Sequence, residues 1–120
     1  MGTQITQAIH GATGHGAALI WCPFPGEDAA LAAIHALLDE GLIACGNVLP
    51  GMTSVFVWNG EKDTVREAGV LLKTRADLLE QAVQRLTELH PYDEPAVFGW
   101  HCDAAPPGTL AWLAGIAPQA

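Results

Sequence analysis

The dipeptide Asn59-Gly60 stands between two runs of β-prone residues, and it constrains the fold of this chain more than any other feature. Residues 54–58 before it are rich in β-branched and aromatic side chains, and residues 62–74 after it end in an apolar run. Asn-Gly between two strands is typical of a type I′ turn, because both turn positions must adopt positive φ. The sequence therefore predicts a long antiparallel hairpin.

The rest of the chain alternates between strand-like and helix-like segments. Continuously apolar runs predict buried strands, and apolar residues at helical spacing predict amphipathic helices. Asp77 with Glu80 predicts a capping box at the start of the second helix. The predicted elements are strand 17–22, a helix opened by Glu27 and Asp28 and stopped by Gly41, strand 42–58 with a bend or bulge at Pro50-Gly51, strand 62–74, helix 77–89, strand 96–101 and helix 109–116.

This β-α-β-β-α-β order, followed by a terminal helix, predicts an α+β, ferredoxin-like sandwich with an antiparallel sheet. The expected strand order is 4-1-3-2, with both main helices on one face. We expect residues 1–16 to form a flexible N-terminal arm and residues 17–120 to form one domain. Half of the residues are hydrophobic and only 15% are charged, so the uncovered sheet face is expected to pack on another subunit.

Charge and composition exclude several classes of partner. The net charge is −8 and only five Lys and Arg residues are present, which disfavours nucleic acid and anionic membranes. No stretch approaches the length of a membrane span, and no secretory signal is recognisable. The three cysteines lack CxxC spacing, so reduced thiols and a cytoplasmic location are expected.

The predicted sheet also bears on metal binding by Cys22, Cys45 and Cys102. Cys22 and Cys102 are expected at opposite ends of neighbouring strands, roughly 16 Å apart at ~3.3 Å per residue. Cys22 and Cys45 are expected at the same end with a strand between them, about 10 Å apart and too far for one ion. A closed tetrahedral zinc site is therefore not expected, whereas weak or intersubunit binding stays open.

Several residues have chemistry suited to a site, each with a structural alternative. Cys45 is either a soft metal ligand or a small buried side chain. Lys73 ends a buried strand and needs an anionic partner, either an acidic side chain or a ligand. His90, Tyr92 and Asp93 share one loop, where they either bind a ligand or end a helix and anchor a subunit contact. The interface residues expected are Trp58 and Tyr92.

Three segments together resemble the CutA family of divalent-cation tolerance proteins. The first is LIACGNVLPGMTS at residues 42–54, the second is WNG at residues 58–60, and the third combines LLKT at 71–74 with LHPY at 89–92. The resemblance covers roughly residues 17–115 and implies a trimeric ferredoxin-like fold akin to the PII signalling proteins. The sequence departs from the family pattern at Gly46 (usually Val), Asn59 (usually Glu), Asp93 (usually Glu), Glu94 (usually Val) and Ala96 (usually Glu).

The resemblance leads to a main hypothesis and two alternatives. The main hypothesis is a homotrimeric divalent-cation tolerance protein that binds copper or another divalent metal through Cys45 and His90. The first alternative is a PII-like sensor of a small anionic ligand held by Lys73, His90, Tyr92 and Asp93. The second is an enzyme with His90 as general base. No nucleophile–base spacing is present, so we expect no enzymatic activity and no further cofactor.

Overall fold

The structure is a computed structural model that describes residues 16–119. Its elements are β1 (Ala17–Phe24), α1 (Glu27–Asp39), β2 (Cys45–Trp58), β3 (Glu61–Arg75), α2 (Leu79–Leu89), β4 (Phe98–His101) and α3 (Pro107–Ala114). A short 3₁₀ turn (Ala76–Leu78) connects β3 to α2. The N-terminal arm predicted for residues 1–16 lies outside the described residues except for Gly16. No helix within residues 16–119 combines the length and the apolar character that crossing a bilayer requires.

The four strands form one antiparallel sheet in the order β2-β3-β1-β4. This is the predicted order 4-1-3-2 counted from the opposite edge. With two long helices between the strands, the fold is ferredoxin-like, as predicted. β1 is central, with β3 on one side and β4 on the other.

The β2–β3 hairpin turns where the sequence predicted. Asn59 has φ 52° and Gly60 has φ 78°, the two positive values that a type I′ turn requires. The register shifts between Leu49 and Met52, which places a β-bulge at the predicted interruption. β1 pairs with β3 only from Ala68 onward, so the distal part of the hairpin has no other strand beside it within the described residues.

The hydrophobic core lies between one face of the sheet and helices α1 and α2. Each buried aliphatic or aromatic side chain there contributes on the order of 1.5–3 kcal/mol. The largest fully buried side chains are Phe24, Ile20, Leu37, Leu72, Leu86 and Val70. β1 is most deeply buried on this face, because its other residues alternate onto the opposite face, where only α3 packs, over Ala17. A smaller cluster of Ala17, Ala105 and Leu113 lies beneath α3.

The start of the second helix differs from the prediction. The carboxylate of Asp77 accepts a hydrogen bond from Nε of Arg75 at 2.7 Å, and no side chain caps the helix. Arg75 also donates to the carbonyl of Ile116 at 2.8 Å. The predicted capping box was therefore wrong. The guanidinium of Arg75 binds the carboxylate of Asp77, which the local sequence pattern had assigned to a backbone N–H. The last helix begins two residues earlier than expected, since proline is favoured in the first helical turn.

Candidate functional site

The sheet face opposite α1 and α2 is apolar, and among residues 16–119 only α3 packs on it, at the end near Ala17. We call this face the uncovered face. Residues directly opposite each other in antiparallel strands share a face. Leu19 pairs with Trp100, and Trp21 pairs with both Phe98 and Leu71. Phe98 is 63% exposed. The indole of Trp21 lies over Gly69, where an added Cβ would collide with the ring. This apolar face is the one that the sequence predicted would pack on another subunit.

The hairpin tip continues this apolar surface beyond the body of the domain. Val55 and Val57 alternate with Phe56 and Trp58, so both faces of the tip are apolar. Val57 is 68% exposed and Trp58 is 58% exposed. A hairpin of a monomeric protein normally has one polar face. Trp58 was predicted as an interface residue, and its exposure on this apolar tip positions it for a contact with another subunit.

Cys45 and Lys73 are neighbours on the uncovered face. They are register partners at the start of β2 and in the last part of β3, and Lys73 is also opposite Leu19. Cys22 is opposite Val70 instead, further along the sheet, so Cys45 is not at the same end as Cys22. It is nearer the end where the backbone N–H of Cys102 donates to Ala17. The predicted position of Cys45 was wrong because β1 and β2 both run antiparallel to β3, so the start of β2 lies toward the start of β1 and not toward Cys22 near its end.

The three thiols have different environments. Burial, with a smaller contribution from the charge of Glu67, raises the pKa of Cys22 to about 12. Burial, followed by the charge of Asp103, also raises the pKa of Cys102. The half-exposed Cys45 makes a weak contact with Oδ1 of Asn47 at 3.8 Å. Within residues 16–119, no group of three or more His, Cys, Asp and Glu side chains is arranged to hold a metal ion.

His90 is buried at the end of α2, and both of its ring nitrogens are occupied. Nε2 is 2.7 Å from the carbonyl oxygen of Pro23, and Nδ1 is 3.0 Å from the backbone nitrogen of Tyr92. A carbonyl can only accept and a backbone N–H can only donate, so this pattern requires the neutral tautomer with the proton on Nε2. The ring also packs on Phe24, with ring centroids 4.1 Å apart. Metal ligation or general-base chemistry at His90 would first require one of these bonds to break.

Tyr92 reaches around the end of β1 to the uncovered side of the sheet. Its hydroxyl donates to Glu67 at 2.8 Å. Desolvation, followed by the hydrogen bond and the charge of Glu67, raises the pKa of Tyr92 to about 12. Tyr92 and Glu67 line a cleft of about 480 Å³ between the hairpin and the loop after α2, together with Trp58, Glu94 and Ala96. The two carboxylates make this cleft more suitable for a cation than for an anion.

The structure divides the predicted ligand residues between two places. His90 and Tyr92 are adjacent, with ring centroids 4.9 Å apart, and Tyr92 lines the cleft beside the hairpin. Lys73 lines a different cavity, beside α3. Asp93 is exposed and lines neither. The four residues therefore do not form one site within this subunit.

Glu67 and Glu94 are cleft residues that the sequence analysis did not select. Ala96 supplies no carboxylate to the cleft, although the family usually has Glu at position 96. Glu94 brings a carboxylate to the same cleft. Glu67 contacts Tyr92 across 25 positions of sequence, so no local pattern reveals the pair. The sequence contains only a weak indication of Glu67, which is an acidic residue just before the apolar end of the third strand.

The fold and this surface define a ferredoxin-like α+β protein whose sheet is largely uncovered on one face and extended by an apolar hairpin. A family model described as CutA1 divalent ion tolerance protein matches residues 18–115. The chain belongs to this family, as the sequence resemblance indicated.

Individual relatives agree with this assignment. The divalent-cation tolerance protein CutA of Pyrococcus horikoshii is 38% identical over 95 residues, which are 79% of this chain and 92% of that protein. The crystal structure of CutA from Xylella fastidiosa is similar with a TM-score of 0.79 and 32% identity, covering 82% of this chain and 95% of that one. CutA1 from Oryza sativa gives a TM-score of 0.80 at 27% identity, with 88% and 96% covered.

Proposed function

We propose that this protein acts in divalent-cation tolerance as a homotrimer whose subunits associate through the uncovered sheet face and the hairpin tip. The observation that carries the proposal is the extent of exposed apolar surface: Val57, Trp58 and Phe98 are each more than half exposed. Contiguous apolar surface of this kind marks association sites in soluble proteins. The net charge of −8 also favours attraction of cations to the assembled surface.

Light scattering tests the assembly. The chain mass is 12.6 kDa, so the wild type should give a mass near three times that value. Val57→Lys combined with Trp58→Ser should shift the protein toward monomer, because a charge would be buried in an apolar contact. Leu31→Lys is a matched control, since Leu31 is 44% exposed but lies on helix α1. A monomeric wild type, or equal dissociation in the control, would contradict the proposal.

The metal-binding part of the proposal places Cys45 at or near the contact between subunits. Its thiol is half-exposed, lies on an edge strand and belongs to the uncovered face, so a neighbouring subunit can supply the remaining ligands. A thiolate is a soft ligand that favours cuprous copper over hard divalent ions. We therefore propose shared, intersubunit copper binding rather than a closed cage within one chain.

Copper titration by calorimetry tests this assignment under anaerobic conditions. Cys45→Ser keeps the side-chain size and removes the soft donor, so it should weaken cuprous binding without changing the trimer mass. Cys102→Ser is the matched control, because burial and Asp103 favour the protonated thiol at Cys102. Binding to the wild type should weaken as pH falls, since protons compete with the metal. Equal affinity of Cys45→Ser and wild type would exclude Cys45 as a ligand.

A further inference from the structure

A second cavity, of about 370 Å³, lies between the uncovered face and helix α3. Its wall is mainly apolar, with Ala18 and Leu19 from β1 and Ala105 and Leu113 from the C-terminal region. The half-exposed indole of Trp112 forms part of its rim. Cavities of this volume accommodate small organic molecules when a few polar groups fix their orientation.

Lys73 is the only charged residue on the described lining of this cavity. Its side chain is partly buried, yet the ion pairs found within residues 16–119 all involve Arg75 or Arg85. The salt bridge expected for Lys73 is therefore not present among the described residues. A partly buried ammonium group is favoured by an anionic partner.

The other polar groups on the lining do not neutralise Lys73. Burial and the nearby Asp103 raise the pKa of Cys102, so its thiol is protonated at neutral pH and carries no charge. Thr109 contributes a hydroxyl, which can donate to an anion. The cavity thus combines one cation, one neutral donor and an extended apolar wall.

We propose that this cavity binds a small organic carboxylate with an apolar body, the carboxylate on Lys73 and the body against Leu19, Leu113 and Trp112. A carboxylate supplies the missing counter-charge, and charge-assisted hydrogen bonds are the stronger ones. An apolar body matches the wall, which an inorganic anion would leave empty. Lys73 is the register partner of Cys45, so the cavity adjoins the proposed metal ligand, whereas it shares no residue with the acidic cleft beside Tyr92. Binding of an organic carboxylate there goes beyond the proposed function.

Calorimetry with 3-phenylpropionate tests the site, with the neutral amide 3-phenylpropanamide as a matched probe. The acid should bind the wild type at least about tenfold more tightly than the amide, in keeping with a hydrogen bond to a charged group. Lys73→Met removes the charge and keeps the apolar stem, so it should weaken binding of the acid by that same factor. Lys62→Met changes the chain's other lysine, on the exposed hairpin, and should alter affinity less than about twofold.

Two further measurements keep the result interpretable. Lys73→Arg keeps the charge and should retain binding within about threefold, which separates loss of charge from loss of fold. Light scattering on each variant shows whether the assembly is unchanged, so failure of this site is distinguishable from failure of the trimer. Absence of binding to the wild type, equal binding of acid and amide, unchanged affinity of Lys73→Met, or displacement by an equal concentration of inorganic phosphate would each overturn the proposal.

Discussion

Gly46→Val replaces a residue of β2 by the one that the family usually has, and the structure predicts that the change destabilises this protein. A Cβ atom at position 46 would lie 2.8 Å from Cγ1 and Cγ2 of Ile34 and 2.9 Å from its Cδ1. Ile34 belongs to α1 and is only 5% exposed. In this chain the isoleucine side chain occupies the space that a side chain at position 46 would need.

Two opposing effects determine the size of the change. Valine in place of glycine in a strand gains up to about 1 kcal/mol from β propensity and lower chain entropy. Overpacking a filled core costs about 1–3 kcal/mol, and valine adds two methyl groups beyond the clashing Cβ. The expected net loss is about 1–2 kcal/mol. In an Ile34→Ala background, the same valine fills a cavity and should stabilise by about 1 kcal/mol.

Denaturant unfolding at one fixed chain concentration measures these effects, because the proposed association would make stability depend on concentration. Four proteins complete the cycle: wild type, the two single variants and the double variant. Gly108→Ala in α3 is the control, since nothing lies within 4 Å of its added Cβ, and it should gain up to ~1 kcal/mol. If Gly46→Val were neutral or stabilising in the wild-type background, the inferred packing of Ile34 over Gly46 would be refuted.

Three further predictions follow from backbone and side-chain environments. Gly60→Val should lower the free energy of unfolding by about 1–2 kcal/mol because β-branched residues disfavour positive φ, and an unchanged melting temperature would exclude the type I′ turn. Alkylation followed by peptide mass spectrometry should modify half-exposed Cys45 first and fully buried Cys22 only on unfolding. Cys22 and Tyr92 are acids held neutral, with pKa values raised from 9.0 and 10.0 to about 12, so their stabilisation is complete below pH 9 and declines from there toward pH 12. A base titration of stability should show this decline, and Cys22→Ala should reduce its slope.

The fold was predictable because its determinants are local. The positive φ values at Asn59 and Gly60 and the bulge after Leu49 follow from residue types at those positions. The period of apolar residues then determines which faces of the helices and of β1 are buried. The capping box failed where a non-local competitor, Arg75, takes Asp77.

The candidate site was less predictable because it depends on register and on long-range contacts. Cys45 was misplaced relative to Cys22 through strand direction, because β1 and β2 both run antiparallel to β3 and the start of β2 therefore lies toward the start of β1. The closeness of His90 and Tyr92 in the sequence correctly predicted that they are neighbours. It could not show that the carbonyl oxygen of Pro23 occupies one nitrogen of the His90 imidazole. The hydrogen bond from Tyr92 to Glu67 depends on the path of the loop after α2, which passes around the end of β1.

The apolar character of both faces of the hairpin tip also has a kinetic consequence. Before the proposed association, each chain exposes Val55, Phe56, Val57 and Trp58 on a strand pair beside which no further strand lies within residues 16–119. Exposed apolar strands of this kind pair with incorrect partners as readily as with correct ones. The recovery of protein after refolding should therefore pass through a maximum as chain concentration rises, because correct association and aggregation are both accelerated by concentration but to different orders.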